Sequence, residues 1–125
     1  MSSESLHEAA EKLSPATIDR HRATISLMEE LEAVDWYDQR IDATTDEALR
    51  AVLRHNRDEE KEHAAMVLEW LRRQDPVLDE QLRAYLFKDG DIMRVEAEAE
   101  GGEEAQGPGD GCLGIGDLRQ DEVAP

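Results

Sequence analysis

The chain has 125 residues, with 31 acidic against 14 basic side chains and a formal net charge of -17 at pH 7. That balance excludes nucleic acid and anionic membrane as partners, because both are held through basic residues, and it favours cations instead. One Phe, two Trp and two Tyr provide only a small core, so a second copy of the chain is expected on surface-to-volume grounds.

No apolar run approaches the roughly 20 residues that span a bilayer, and the N-terminus lacks the basic segment and hydrophobic stretch of a signal peptide. The expected location is the cytoplasm. Cys112, the single cysteine, excludes an internal disulfide and any CxxC motif. Residues 1–13 read as a flexible lead-in, 14–98 as the folded helical part and 99–125 as a disordered Gly-rich acidic linker.

Ser14-Pro15 is an N-cap followed by proline at the first helical position, and no Gly or Pro intervenes before about Ile41. One long helix is predicted there, with an apolar stripe of Ile18, Ile25, Leu27, Leu31, Val34 and Ile41 and a wet face bearing Arg20, Arg22, Asp38 and Arg40. Thr44 and Glu47 have capping-box spacing for a second helix, which Asp75-Pro76 stops near Gln74. Two helices of about 28 residues, roughly 42 Å each, joined by about four residues, form an antiparallel hairpin. Val77 to Phe87 carries Leu78, Leu82, Tyr85 and Leu86 at helical spacing and reads as a short third helix. From Asp89 the acidic and Gly-rich composition reads as linker, yet beyond it stands the apolar island Leu113-Gly114-Ile115-Gly116-Asp117-Leu118, within a segment near 111–119 that suits a docking peptide.

The second helix carries an interruption with chemical meaning. Its stripe runs Leu49, Leu53, Asn56, Glu60, His63, Val67 and Trp70, so three polar residues sit where apolar ones are expected. A carboxylate withdrawn from water needs a partner, and a metal ion supplies one while also accepting neutral imidazole. On the first helix Glu30 falls between Leu27 and Val34 at spacings of three and four. In an antiparallel hairpin the middle of one helix is level with the middle of the other, which brings Glu30 to the height of Glu60 and His63.

Two carboxylates and one imidazole suit iron or manganese. Four-helix di-metal bundles of the ferritin type use one Glu from each of two helices and a Glu-x-x-His from each of the other two. This chain holds half that set on half that bundle, so two copies related by a two-fold axis complete both. The expected architecture is therefore all-α: a two-helix hairpin with a short C-terminal helix, two protomers making the four-helix bundle. Glu29 and Glu32 flank the site on its outer side, where carboxylates can hold an incoming ion, or they are a plain solvated acidic face. Trp36 and Tyr37 lie one to two turns from Glu30 and either pack or wall the site.

The runs Met28-Glu29-Glu30-Leu31-Glu32-Ala33-Val34-Asp35-Trp36-Tyr37-Asp38-Gln39-Arg40 and His55-Asn56-Arg57-Asp58-Glu59-Glu60-Lys61-Glu62-His63-Ala64-Ala65-Met66 closely resemble the encapsulated ferritins. The resemblance extends through Leu68-Glu69-Trp70-Leu71-Arg72-Arg73 and Tyr85-Leu86-Phe87. It implies a ferroxidase whose dimers carry two iron ions at each interface, ligated by Glu30, Glu60 and His63 of both chains, and assemble into a ring decamer. It also implies a metal-attracting outer site at Glu29 and Glu32, occupied by a divalent cation such as calcium, with Trp36 beside it. The segment with Leu113, Gly114, Ile115, Gly116 and Leu118 is similar to peptides that bind the inner wall of an encapsulin shell. Cys112 and Asp117 stand where that pattern has small hydroxyl residues, and Gln120 to Pro125 extend past it. Two other chemistries fit the same residues: a rubrerythrin-like peroxidase, disfavoured by the missing CxxC electron-transfer module, and a non-catalytic metal-binding cargo protein.

Overall fold

The computed structural model describes residues 5–100, and they are all-helical. The segment carrying Leu113, Gly114, Ile115, Gly116 and Leu118 lies outside the described residues. After a single 3-10 turn, Ala10–Lys12, helix α1 spans Pro15–Ala43, α2 spans Glu47–Gln74 and α3 spans Pro76–Tyr85. The chain divides into two compact units, one ending at Gln74 and the other beginning at Asp75.

Helix α1 begins as its sequence requires. The Thr17 backbone N–H donates to Ser14 Oγ at 3.1 Å, and Pro15 sits in the first turn, where its missing N–H costs nothing. Its C-cap is Thr44, whose N–H returns to the Arg40 carbonyl. The start of α2 differs from the expected capping box. Asp46 is the capping residue, its carboxylate accepting the Leu49 N–H at 3.0 Å, and the Thr44 hydroxyl accepts the Asp46 N–H at 3.2 Å. Thr44 is already occupied in closing α1, so the cap moves two residues on and the link shrinks to residues 44–46.

Arg50 ties this link together. Its guanidinium donates to the Ile41 carbonyl at 3.1 Å, and also to the Thr44 carbonyl and the Glu47 carboxylate. These are carbonyls of the last turn of α1 and the residue after it, which the helix itself leaves without partners. One side chain thus joins the end of one helix to the start of the next. Farther along, Arg57 of α2 donates to Asp38 of α1 at 2.9 Å, so the residue placed on the wet face of α1 is half of an interhelical ion pair.

The hairpin core is thin. Only Ile41, Ala64 and Leu71 are buried among the described residues, whereas Met28, Leu31, Trp36, Met66 and Trp70 remain exposed. The predicted stripe of α1 is therefore not one buried line: Ile41 faces α2, but Leu31 is 54% exposed. Apolar side chains on α1 point to more than one side, which a single partner helix cannot cover.

In the second unit, Asp75 accepts the N–H groups of Val77 and Leu78 at 3.0 Å each and Pro76 occupies the first turn of α3. Phe87, just past the helix, takes the left-handed conformation, with φ of 61°. Residues 92–100 are helical, although the composition turns acidic from Asp89 onward; the helix reaches the boundary at 98 drawn for the folded part and two residues past it.

Arg50→Ala removes charged hydrogen bonds to two carbonyls at a turn of only three residues, and the expected loss is about 1.5–3 kcal/mol of unfolding free energy. Urea denaturation of metal-free protein measures it, and Arg50→Lys, lacking the forked donor, is expected to recover less than half of the loss.

Candidate metal centre

Glu30 lies at the middle of α1, and Glu60 and His63 lie one turn apart at the middle of α2. The short clamped link makes the helices antiparallel, and that pairing brings the three side chains together. Their ligand atoms all fall within 4.8 Å of one another. His63 Nδ1 is 2.9 Å from Glu60 Oε1 and 3.7 Å from Glu30 Oε2. Both carboxylates are 24% exposed and the imidazole 45%, so the cluster is half withdrawn from water and open on one side.

The electrostatics follow from that placement. Partial burial pushes the Glu30 carboxyl above its ordinary value of 4.5, and the charge of Glu60 beside it pushes in the same direction. The hydrogen bond that the His63 Nδ1–H donates to the Glu60 carboxylate raises His63 above 6.5, helped by the charges of Glu30 and Glu60.

Both shifts carry the same sign for the metal-free chain. A folded-state pKa above the ordinary value means stability that is present at low pH and lost as pH rises, through the range above 4.5 for Glu30 and above 6.5 for His63. Metal binding runs the other way, because an ion needs His63 neutral at Nδ1 and both carboxylates ionised. Two carboxylate oxygens and one imidazole nitrogen fit a hard or borderline divalent cation such as Fe(II) or Mn(II).

The other sequence-derived candidates are not part of this group. Glu29 and Glu32 are exposed on α1 outside the cluster, although the charge of Glu29 adds to the upward push on Glu30. Trp36 is 48% exposed and Tyr37 half-buried, and the Arg40 guanidinium lies over both rings at 5.9 and 5.7 Å from their centroids. That stack was not visible from the residues, since Arg40 reads as a solvated residue until its i–3 and i–4 neighbours are both recognised as aromatic. Along the hairpin, an open groove continues between Ala23 and Ser26 of α1 and Met66 and Trp70 of α2. Trp70 follows His63 by two helical turns, so cluster and groove share one face.

Residues 5–89 match the family model described as EncFtn-like. The chain is 60% identical to an encapsulated ferritin-like protein of Rhodospirillum rubrum over 126 aligned positions, covering 94% of this chain and 90% of that one. It is 54% identical to a ferritin-like protein of Thermotoga maritima over 87% of this chain and 93% of the relative. A crystal structure of a Nitrosomonas europaea protein superposes with a TM-score of 0.68 at 59% identity, over 70% of this chain and 96% of that chain. A shorter match, 44% identical over 52 residues, is to the encapsulin nanocompartment cargo protein EncC of Myxococcus xanthus, covering 42% of this chain and 40% of that protein.

In an NMR pH titration of metal-free protein, His63 is expected to titrate above 6.5, and Glu60→Ala is expected to bring it back toward that value. An unchanged His63 midpoint in the variant would remove Glu60 as the principal cause.

Proposed function

The chain belongs to the EncFtn-like family of encapsulated ferritin-like proteins, and from that premise we propose that it is a ferroxidase that oxidises Fe(II) to Fe(III) with dioxygen. The reaction takes place at a di-iron centre shared by two subunits. The observation that carries this reading is the convergence of Glu30, Glu60 and His63 within 4.8 Å on one open face of a hairpin. Three ligands from one chain leave two metal ions under-coordinated, and a second copy with the same three ligands completes the set.

Each residue has a definite task in this reading. Glu30 and Glu60 provide oxygen donors that favour the harder ferric state over the ferrous one, which lowers the barrier to giving up an electron. His63, neutral at Nδ1, supplies a nitrogen donor from the same face of α2 as Glu60, one turn away. Two ferrous ions held by one ligand set give one electron each, so dioxygen takes both from a single place. Glu29 and Glu32 act outside the centre as an acidic approach that concentrates cations, calcium among them, before transfer inward. Trp36 and Tyr37, with Arg40 over them, follow that approach by about one turn along α1 and wall its flank.

The homodimer assembles further into a ring, a decamer in the form its resemblance implies. A ring that is open has no enclosed volume for mineral, so storage falls to an encapsulin shell in the cytoplasm; the Myxococcus xanthus relative is named an encapsulin nanocompartment cargo protein. The peptide with Leu113, Gly114, Ile115, Gly116 and Leu118 is the docking element toward the shell. No helix among the described residues is long and apolar enough to cross a membrane.

Anaerobic loading with Fe(II) followed by air is expected to produce ferric absorbance, which near-ultraviolet spectroscopy follows. Glu60→Ala and His63→Ala are expected to slow its rise at least about a hundredfold, and rates equal to wild type would overturn the site. Peroxide consumption without ferric product would instead place the chemistry with peroxidases.

Because the ligands are divided between chains, an ion crosslinks them and stabilises the dimer. Native mass measurements at one protein concentration are expected to show larger assemblies with Fe(II) than without it. Identical distributions would count against an interfacial metal.

A further inference from the structure

Of the three polar residues that interrupt the apolar stripe of α2, the metal centre uses two and leaves Asn56 without a role. Asn56 is half-buried, and among the described residues its side-chain amide has no hydrogen-bond partner. A polar group in that position weakens packing unless something answers it. It precedes Glu60 by four residues, the spacing at which helical side chains meet.

We propose that Asn56 is a positioning residue for the metal centre, donating from its side-chain amide to the Glu60 carboxylate once that carboxylate binds an ion. The inference rests on Glu60 being a ligand, as argued above. In the metal-free chain Glu60 Oε1 is held by His63 Nδ1 at 2.9 Å. An ion that takes the Nδ1 lone pair ends that hydrogen bond, and the carboxylate oxygen not facing the ion then needs a donor. Ligating carboxylates are ordinarily hydrogen-bonded in this way, which fixes how they present their oxygens.

The alternatives on the same helix are already engaged or carry the wrong charge. Arg57, three residues before Glu60, is committed to Asp38 at 2.9 Å and Asp58 at 3.1 Å. A free lysine or arginine here would also repel the incoming cation. A neutral amide orients Glu60 without opposing the metal, and it is the group found at that place.

Competition titrations of the full-length chain with Co(II), against a chromophoric chelator, test the proposal without turnover. Asn56→Leu is expected to weaken Co(II) binding by about 10- to 100-fold and to shift the visible Co(II) band. The Tm of the metal-free variant is expected to be equal to or higher than wild type, since a polar residue leaves an apolar stripe. Asn56→Gln, which keeps the donor, is expected to recover most of the affinity. Asn56→Ala, which removes the amide without adding bulk, is expected to repeat the loss. A loss smaller than about tenfold in both Asn56→Leu and Asn56→Ala overturns the proposal, as does a loss accompanied by a matching fall in metal-free Tm or assembly mass. Glu60→Ala in the same titration separates the two readings: if it too retains wild-type affinity, the metal centre itself is misplaced, whereas if it alone loses binding, only the role of Asn56 fails.

Discussion

Two carboxylates beside each other, half withdrawn from water, are the constraint on which the rest of this structure turns. Burial raises the cost of ionising Glu30, and the charge of Glu60 beside it adds to that cost. A core of apolar residues at the same positions would have been simpler to build. Their presence makes sense when something positive belongs between them, which is the place of the metal ion in the proposed centre. In the proposed centre, metal binding releases protons, so the stability of the metal-free chain and the affinity for the ion respond to pH in opposite directions.

The same constraint governs the thin core. A hairpin with three buried residues and exposed Met28, Leu31, Trp36, Met66 and Trp70 keeps much of its apolar surface for contacts beyond itself. In the proposed dimer, the face carrying the ligands and the groove by Trp70 is covered by a second hairpin, so burial and ligand completion come from one event. Apolar side chains on the far side of α1 leave room for a different contact, which is what assembly beyond a dimer requires.

What the sequence made legible were features encoded within single helices. Ser14-Pro15 and Asp75-Pro76 announced helix starts because capping and proline act over one turn. Glu60 and His63 stood out because spacing of three within one helix fixes a shared face. Glu30 followed because an antiparallel pairing is the natural outcome of a short link. The features that escaped depend on register between helices or on competition at the link. Asp38 and Arg57 meet only because of how α1 and α2 align, and neither residue's neighbours in the chain reveal the other. Thr44 looked like an N-cap, but α1 claimed it first and Asp46 took its place. The helix at 92–100 has no signature in composition, because acidic residues are common in both linkers and solvated helices.

The link clamped by Arg50 has a consequence at the other end of each arm. Glu30 lies fourteen positions before Thr44, and Glu60 lies fourteen after Asp46, so each ligand stands about 21 Å from the bend along its own helix. The hairpin is a pair of equal calipers. Adding one residue to either arm would move its tip by about 1.5 Å and turn it by about 100°, carrying the ligand out of the group altogether. Length variation among chains of this design is therefore tolerable before Glu30 and after His63, while the interval between them is held to a fixed count by geometry and not by the chemistry of the residues inside it.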